Sequence, residues 1–301
     1  MKPSIIRAIG HVAIGTPDVD ACVDQAKSVM GLSESARDGD GVYLTEGPRH
    51  HSLHYLQAET SAIDHIGLEA ADGDALHELR GRLEAANIRI VETADDALYG
   101  ESISFVGPCD FTFQAYVGIP PSPSADRQAT LYTSQANAGV RPNRFGHVTL
   151  RVADTRRLCD FVCEVLDFRV SDAIAGGFFV RCNVDHHGLG IMPGPDQMHH
   201  HAWEVQSIAD LSHLGDRVYE YGKRLLWGPV RHGVGNNIAA YFADPAGVIV
   251  EYYTDMQKIY DDSDYELREW GEDWHSVWTL ARPEGFRDFG IPSALSPLAH
   301  P

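Results

Sequence analysis

The sequence has no run of about 18 apolar residues, and its first ten residues, MKPSIIRAIG, lack the apolar stretch of an export signal. The first absence excludes a conventional helical membrane span. Together they give the expectation of a cytoplasmic protein with no membrane partner. Positive charge is also scarce. Against 43 Asp and Glu there are 24 Lys and Arg, a formal charge of −19, which argues against nucleic acid or an anionic bilayer as partner. Cysteine offers little either. Cys22, Cys109, Cys159, Cys163 and Cys182 form no C-x-x-C pair. Cys159 and Cys163, four apart on a predicted helix, suit burial better than a disulfide framework.

Histidine, by contrast, is plentiful. There are 16 in 301 residues, clustered at 50–54, 186–187 and 199–201 in a chain of ordinary globular composition. The hydrophobic pattern divides the chain into four βα-type units. The first has a strand at Ala8–Gly15, a helix over Asp18–Met30, and short strands at Val42–Leu44 and Ser52–Leu56. A second unit begins with Asp64–Glu69. Leu76, Leu79 and Leu83 mark its helix, and strands follow at Ile88–Val91, Ser102–Val106 and Phe111–Val117. The Gly/Pro-rich segment from Gly118 to Pro123 cannot continue a helix or a central strand. It opens a connector, dividing the chain into 1–120, a connector at 121–143, 144–258, and a tail at 259–301. The third unit has a strand at Arg144–Val152, a helix capped by Asp154, and strands at Phe178–Cys182 and Gly188–Met192. The fourth has strand His200–Val205, a helix carrying Leu211, Leu214 and Val218 up to Gly222, and the final strands that flank the Asp244–Gly247 turn.

The two halves repeat. His11 pairs with His147 and His51 with His187 at an offset of 136, His65 with His200 at 135, and Gln114 with Glu251 at 137. Four pairs within two residues of one offset indicate duplication. In the second half His147 and His200 lie on opening strands and Glu251 on a closing strand, 53 and 51 residues apart. Two imidazoles and one carboxylate that leave coordination positions open are the donor set of a facial metal triad. Each residue also has an ordinary structural reading: a hydrogen-bonded core histidine, a solvated His199–His201 loop, a Glu paired with an arginine.

The motifs GHV at Gly146, HHHAWEV at His199 and GNNIAAYFADPAGVIVEYYTD at Gly235 resemble the type I extradiol catechol dioxygenases of the vicinal oxygen chelate superfamily, over roughly residues 7–260. The resemblance implies an α+β fold of four βαβββ modules that form two duplicated open-barrel domains. It implies Fe(II), with Mn(II) as the alternative, held by His147, His200 and Glu251. His200 is placed by its spacing to the Glu-Val of the motif, with His199 and His201 as the one-residue alternatives. His187 matches the acid–base histidine, and His232 and Tyr241 match two further catalytic positions. The implied reaction is O₂-dependent extradiol cleavage of a catechol-type substrate, by an enzyme that associates as a homo-oligomer. In the first half Gln114 replaces the carboxylate and Ser104 the tyrosine, so that half is expected to hold no metal.

Two other readings remain open at this point. One is a glyoxalase-type lyase or isomerase, whose metal site draws on both halves; the other is a non-catalytic small-molecule-binding protein. Phe179, Met192, Trp203 and the Trp-rich tail are candidates for either pocket wall or core, and the tail is a candidate lid or interface.

Overall fold

The fold is described from a computed structural model covering residues 4–91, 98–122, 139–279 and 282–294. Its four long helices are started by the polar residues that precede them. The Asp18, Asp72 and Asp154 carboxylates accept the Ala21, Ala75 and Arg157 amides at 3.0, 2.8 and 3.0 Å, and Asp210 accepts the Ser207 amide at 2.9 Å. Each bond satisfies a donor that has no partner inside its helix.

The helices belong to four βαβββ modules. The first is β1 (Ile6–Thr16), α1 (Val19–Ser28), β2 (Ser33–Asp38), β3 (Gly41–Thr45) and β4 (Leu53–Gln57). The second is β5 (Ala62–Ala70), α2 (Gly73–Ala85), β6 (Arg89–Val91), β7 (Ser102–Val106) and β8 (Thr112–Tyr116). The third comprises β9 (Arg144–Val152), α3 (Thr155–Glu164), β10 (Arg169–Ile174), β11 (Gly177–Arg181) and β12 (Leu189–Pro193). The fourth is β13 (Gln197–Glu204), α4 (Ile208–Glu220), β14 (Trp227–Arg231), β15 (Ile238–Ala243) and β16 (Ile249–Thr254). The tail contributes β17 (Arg268–Trp270) and β18 (Ile291–Pro292).

The duplication extends to topology. One sheet runs β2-β3-β4-β1-β5-β8-β7-β6, and the other contains the same order, β10-β11-β12-β9-β13-β16-β15-β14. The tail extends the second sheet, with β17 beside β10 and β18 beside β13. Strands β2, β10 and β14 have no counterpart in the sequence-based assignment. β2 lies at a sheet edge and β14 at the other sheet's edge, half-exposed, so the apolar alternation that reveals a strand is weak there. Of the connector, residues 123–138 lie outside the described residues, as do 280–281 and 295–301 of the tail.

One hydrophobic core spans both halves, joining α1 and α2 to α3 and α4 through the sheets. Polar contacts also cross between the halves. The Tyr252 hydroxyl donates to the Met30 carbonyl at 2.9 Å, and Gln25 donates to the Ala243 carbonyl at 2.8 Å. β16 is buried on both faces. Val250 and Tyr252 join the main core, as does Val248 just before the strand, while Ile249 and Tyr253 join a second cluster with Tyr241 and Phe286. Glu251 lies on that second face.

Candidate metal centre

In register, Ala202 of β13 stands between His147 of β9 and Glu251 of β16. Three side chains in one row across neighbouring strands project to the same face of the sheet. His200 is two residues from Ala202, so it shares that face, and the small Ala202 side chain leaves room above the row. His147 Nε2 and His200 Nε2 lie 3.3 and 3.1 Å from the same oxygen of Glu251. Three donors about 2.2 Å from one centre and at right angles to one another would be about 3.1 Å apart. Among the described residues this is the one trio of His, Cys, Asp or Glu donors drawn together for a metal, all within 4.8 Å of each other.

The electrostatics also fit a cation. Burial alone would raise the Glu251 pKa, but the neighbouring His147 and His200 outweigh it and hold the carboxyl well below its usual range. The group is therefore an anion that is 1% exposed. Its ion-pair neighbours among the described residues are imidazoles, and burial opposes a positive charge on His200. A buried carboxylate without a compensating charge is costly, and a divalent metal supplies that charge. Asn237 holds the other carboxylate oxygen at 3.1 Å.

Hydrogen bonds assign the free nitrogen of His200. His199 Nε2 donates to the Phe286 carbonyl at 2.9 Å, so its Nδ1 is the acceptor for His200 Nδ1 at 2.7 Å. His200 is left with Nε2 as a lone-pair donor beside Glu251. His201 serves the core instead, accepting Trp203 Nε1 at 2.8 Å. His199–His201 is thus a buried strand and not a solvated loop.

The same arrangement recurs at His187. The Asp172 carboxylate accepts His186 Nε2 at 3.2 Å, and His186 Nδ1 lies 3.1 Å from His187 Nδ1. With its Nε2 proton held by Asp172, His186 accepts through Nδ1. The proton of neutral His187 then sits on Nδ1, leaving Nε2 for a molecule in the cavity. His187 is neutral because burial, then the neighbouring His147, depress its pKa well below the usual value. Its ring centroid is 4.5 Å from that of His147. His232 and Tyr241 are joined: the tyrosine hydroxyl donates to His232 Nε2 at 2.5 Å, while His232 Nδ1 donates to the His275 carbonyl of the tail. Burial, reinforced by the Glu251 charge, raises the Tyr241 pKa well above normal and keeps the phenol protonated.

All six sequence-predicted residues line one cavity of about 310 Å³. Phe179, Met192 and Trp274 line it too, whereas Trp203 is fully buried in the main core. Asn237, Asp172 and the His186 relay were not singled out from sequence for the site. The only signal for His186 was its repeat partner His50, and for Asn237 its place in the GNN motif.

In the first half the equivalent imidazoles bond to one another. His11 Nε2 lies 3.0 Å from His65 Nε2, and His65 Nδ1 lies 2.6 Å from Asp64. The Tyr99 hydroxyl fills the space between His51 and His11, 2.8 and 3.3 Å from their Nε2 atoms. Gln114 occupies the place of the carboxylate, with its side-chain oxygen buried and unpaired.

A model of the Glyoxalase/Bleomycin resistance protein/Dioxygenase superfamily matches residues 8–114 and 144–252. The chain belongs to this superfamily. Superfamily relatives similar to it include the manganese-dependent 2,3-dihydroxybiphenyl 1,2-dioxygenase of Geobacillus genomosp. 3, 23% identical over 89% of this chain and 90% of that protein. The iron-dependent extradiol dioxygenase of Rhodococcus jostii (strain RHA1) is 26% identical over 89% of this chain and 97% of that one. Among solved structures, the Mn(II)-bound glyoxalase from Novosphingobium aromaticivorans is 25% identical, covers 98% of this chain and 96% of its own, and has a TM-score of 0.83.

Proposed function

We propose that the protein is an Fe(II)- or Mn(II)-dependent dioxygenase that opens catechol-type rings beside the diol with O₂. The observation that carries this is the anionic Glu251 beside two imidazole nitrogens, all from the second half, in a cavity that also presents His187, His232 and Tyr241. A donor set confined to one half favours this reading over a glyoxalase-type site shared between halves. The extradiol relatives span nearly the whole chain, and their names specify iron or manganese.

His147, His200 and Glu251 would hold the metal, which when bound chelates the diol and couples its electrons to O₂. The Glu251 charge offsets part of the metal charge, so a deprotonated diol leaves the site near neutrality. His187, with Nε2 free, takes a proton from a substrate hydroxyl and returns it to the developing oxygen product. Tyr241, its hydroxyl hydrogen donated to His232, presents its hydroxyl oxygen as the acceptor for a substrate hydroxyl. Phe179, Trp227 and Phe286 supply an apolar wall for the ring. The tail residues Trp274, His275 and Phe286 line the same cavity, which supports a lid role for the tail. We place the enzyme in the cytoplasm as a homo-oligomer, consistent with its acidic composition and its family; light scattering tests the second point.

The test is anaerobic reconstitution of metal-depleted protein with Fe(II) or Mn(II), followed by oxygen uptake with a panel of catechols. Stoichiometric O₂ consumption with a yellow ring-opened product is expected. Metal binding without O₂ consumption on any catechol would overturn the proposal in favour of a lyase or isomerase.

A further inference from the structure

The cavity holds a second group of charges that takes no part in the chemistry above. Arg151 of β9 and Arg282 and Arg287 of the tail line its wall. Arg151 donates to the Arg287 carbonyl, which ties the tail to the sheet. The Arg282 guanidinium lies over the Trp274 ring, 5.1 Å from its centroid, and its Nε is buried without a hydrogen-bond partner.

None of the three forms an ion pair among the described residues, although other arginines of this chain do, such as Arg144 with Asp185 and Glu204 and Arg181 with Asp262. Asp288, next to Arg287, is exposed; its charge is felt at Arg151 but it forms no ion pair with any of the three. Arg287 is exposed, but Arg282 is half-buried with its Nε shut off from solvent, and it faces the cavity beside Arg151 and Arg287. Desolvation, then the like charge of Arg287, push the Arg282 pKa down to about 10. Glu251, the carboxylate that lines this cavity, is taken up by the two imidazoles and, when bound, the metal.

A half-buried guanidinium without a partner has been stripped of water for a ligand still to come, and its planar fork fits a carboxylate. Resting on the dioxygenase reading, we propose that Arg282, with Arg151 and Arg287, forms an anion subsite, and that the preferred substrate is a catechol bearing a carboxylate on a short side chain. The aromatic wall holds the ring while the arginines hold the acid, which fixes the diol end toward the metal ligands.

The test compares 3,4-dihydroxyphenylacetate with its methyl ester and with 4-methylcatechol, using the iron-loaded enzyme. The acid should be preferred by about 10–100-fold in kcat/KM, the scale of one charge-assisted pair. Arg282→Met should remove that preference and change ester turnover by less than about threefold. Arg151→Met provides the same comparison if Arg282→Met does not fold. A readout free of turnover is calorimetric binding of phenylacetate, which lacks the diol, to metal-free protein; binding should weaken in Arg282→Met. Equal kcat/KM for acid and ester in the parent enzyme would overturn the subsite and leave the dioxygenase standing. Arginine-dependent phenylacetate binding without cleavage of any catechol would keep the subsite and overturn the dioxygenase reading.

Discussion

Asp172 is 1% exposed and touches no proposed metal ligand, yet its replacement should reach the chemistry. Its carboxylate accepts four donors: His186 Nε2 at 3.2 Å, the Tyr265 hydroxyl at 2.9 Å, the Arg268 amide at 3.1 Å and Trp270 Nε1 at 2.7 Å. Burial by itself would raise its pKa, but the bonds from His186 and Trp270 outweigh it and hold the carboxyl below its usual range. Asp172→Asn keeps the shape and turns one oxygen into a donor facing donors. Two of the four bonds are lost, at about 1–3 kcal/mol each, so stability should fall by about 2–6 kcal/mol. For a chain of this size the Tm should drop on the order of 3–10 °C. His186 then no longer has its proton fixed on Nε2, and His187 loses its assigned tautomer. Turnover per folded chain should fall about 10–100-fold, the usual cost of removing such an orienting partner, with metal content unchanged. The assay measures metal content, melting and oxygen uptake on one preparation of each of Asp172→Asn, His187→Asn and the double variant. Because Asp172 acts through His187, the double variant should be little slower than His187→Asn alone. Unchanged turnover in folded Asp172→Asn, or fully multiplicative losses in the double variant, would refute the relay.

Glu251→Gln removes the anion that compensates the metal and should leave sub-stoichiometric metal and no ring cleavage; elemental analysis and oxygen uptake check this, and a fully loaded, active variant would break the assignment. His65→Ala should leave metal content at the parental level, because His65 is bonded to His11 and Asp64 in the first half; a metal-free variant would instead indicate a site shared between halves. The metal-free protein should be acid-labile, since burial pushes the His199 and His201 pKa values down to about 3 from 6.5. Below pH 6.5 the unfolded chain binds protons that the folded chain refuses, so stability is full above that pH and is lost as pH falls toward 3. The two histidines together cost roughly 2.7 kcal/mol per pH unit within that window, and denaturant midpoints at pH 7 and 5.5 measure the loss.

Much of the second half's donor set was legible in the chain because duplication writes each module twice. His147, His200 and Glu251 recur at module-equivalent places, and strand periodicity requires Glu251 to share a face with Ile249 and Tyr253. The helix start at Asp154 was readable because capping is a local hydrogen bond, whereas Asp18, read as the first residue of its helix, proves to be the cap before it. Strands β2, β10 and β14 were not legible, since strands with weak alternation depend on their neighbours for pairing. The choice among His199, His200 and His201 needed register. Each residue has the same chemistry, and only the pairing of β13 with β9 and β16 decides which imidazole stands beside the His147–Glu251 row. Tautomers are less local still. The free nitrogen of His200 depends on a carbonyl at Phe286, 87 residues along the chain from His199 in a turn of the tail, and that of His187 on a carboxylate at Asp172 of β10. Sequence determined which donors the protein carries, because that is a matter of residue type and spacing. Tertiary structure decided which nitrogens are free and which arginines are left unpaired, because hydrogen bonds and ion pairs are satisfied by whatever the fold places within about 3 Å.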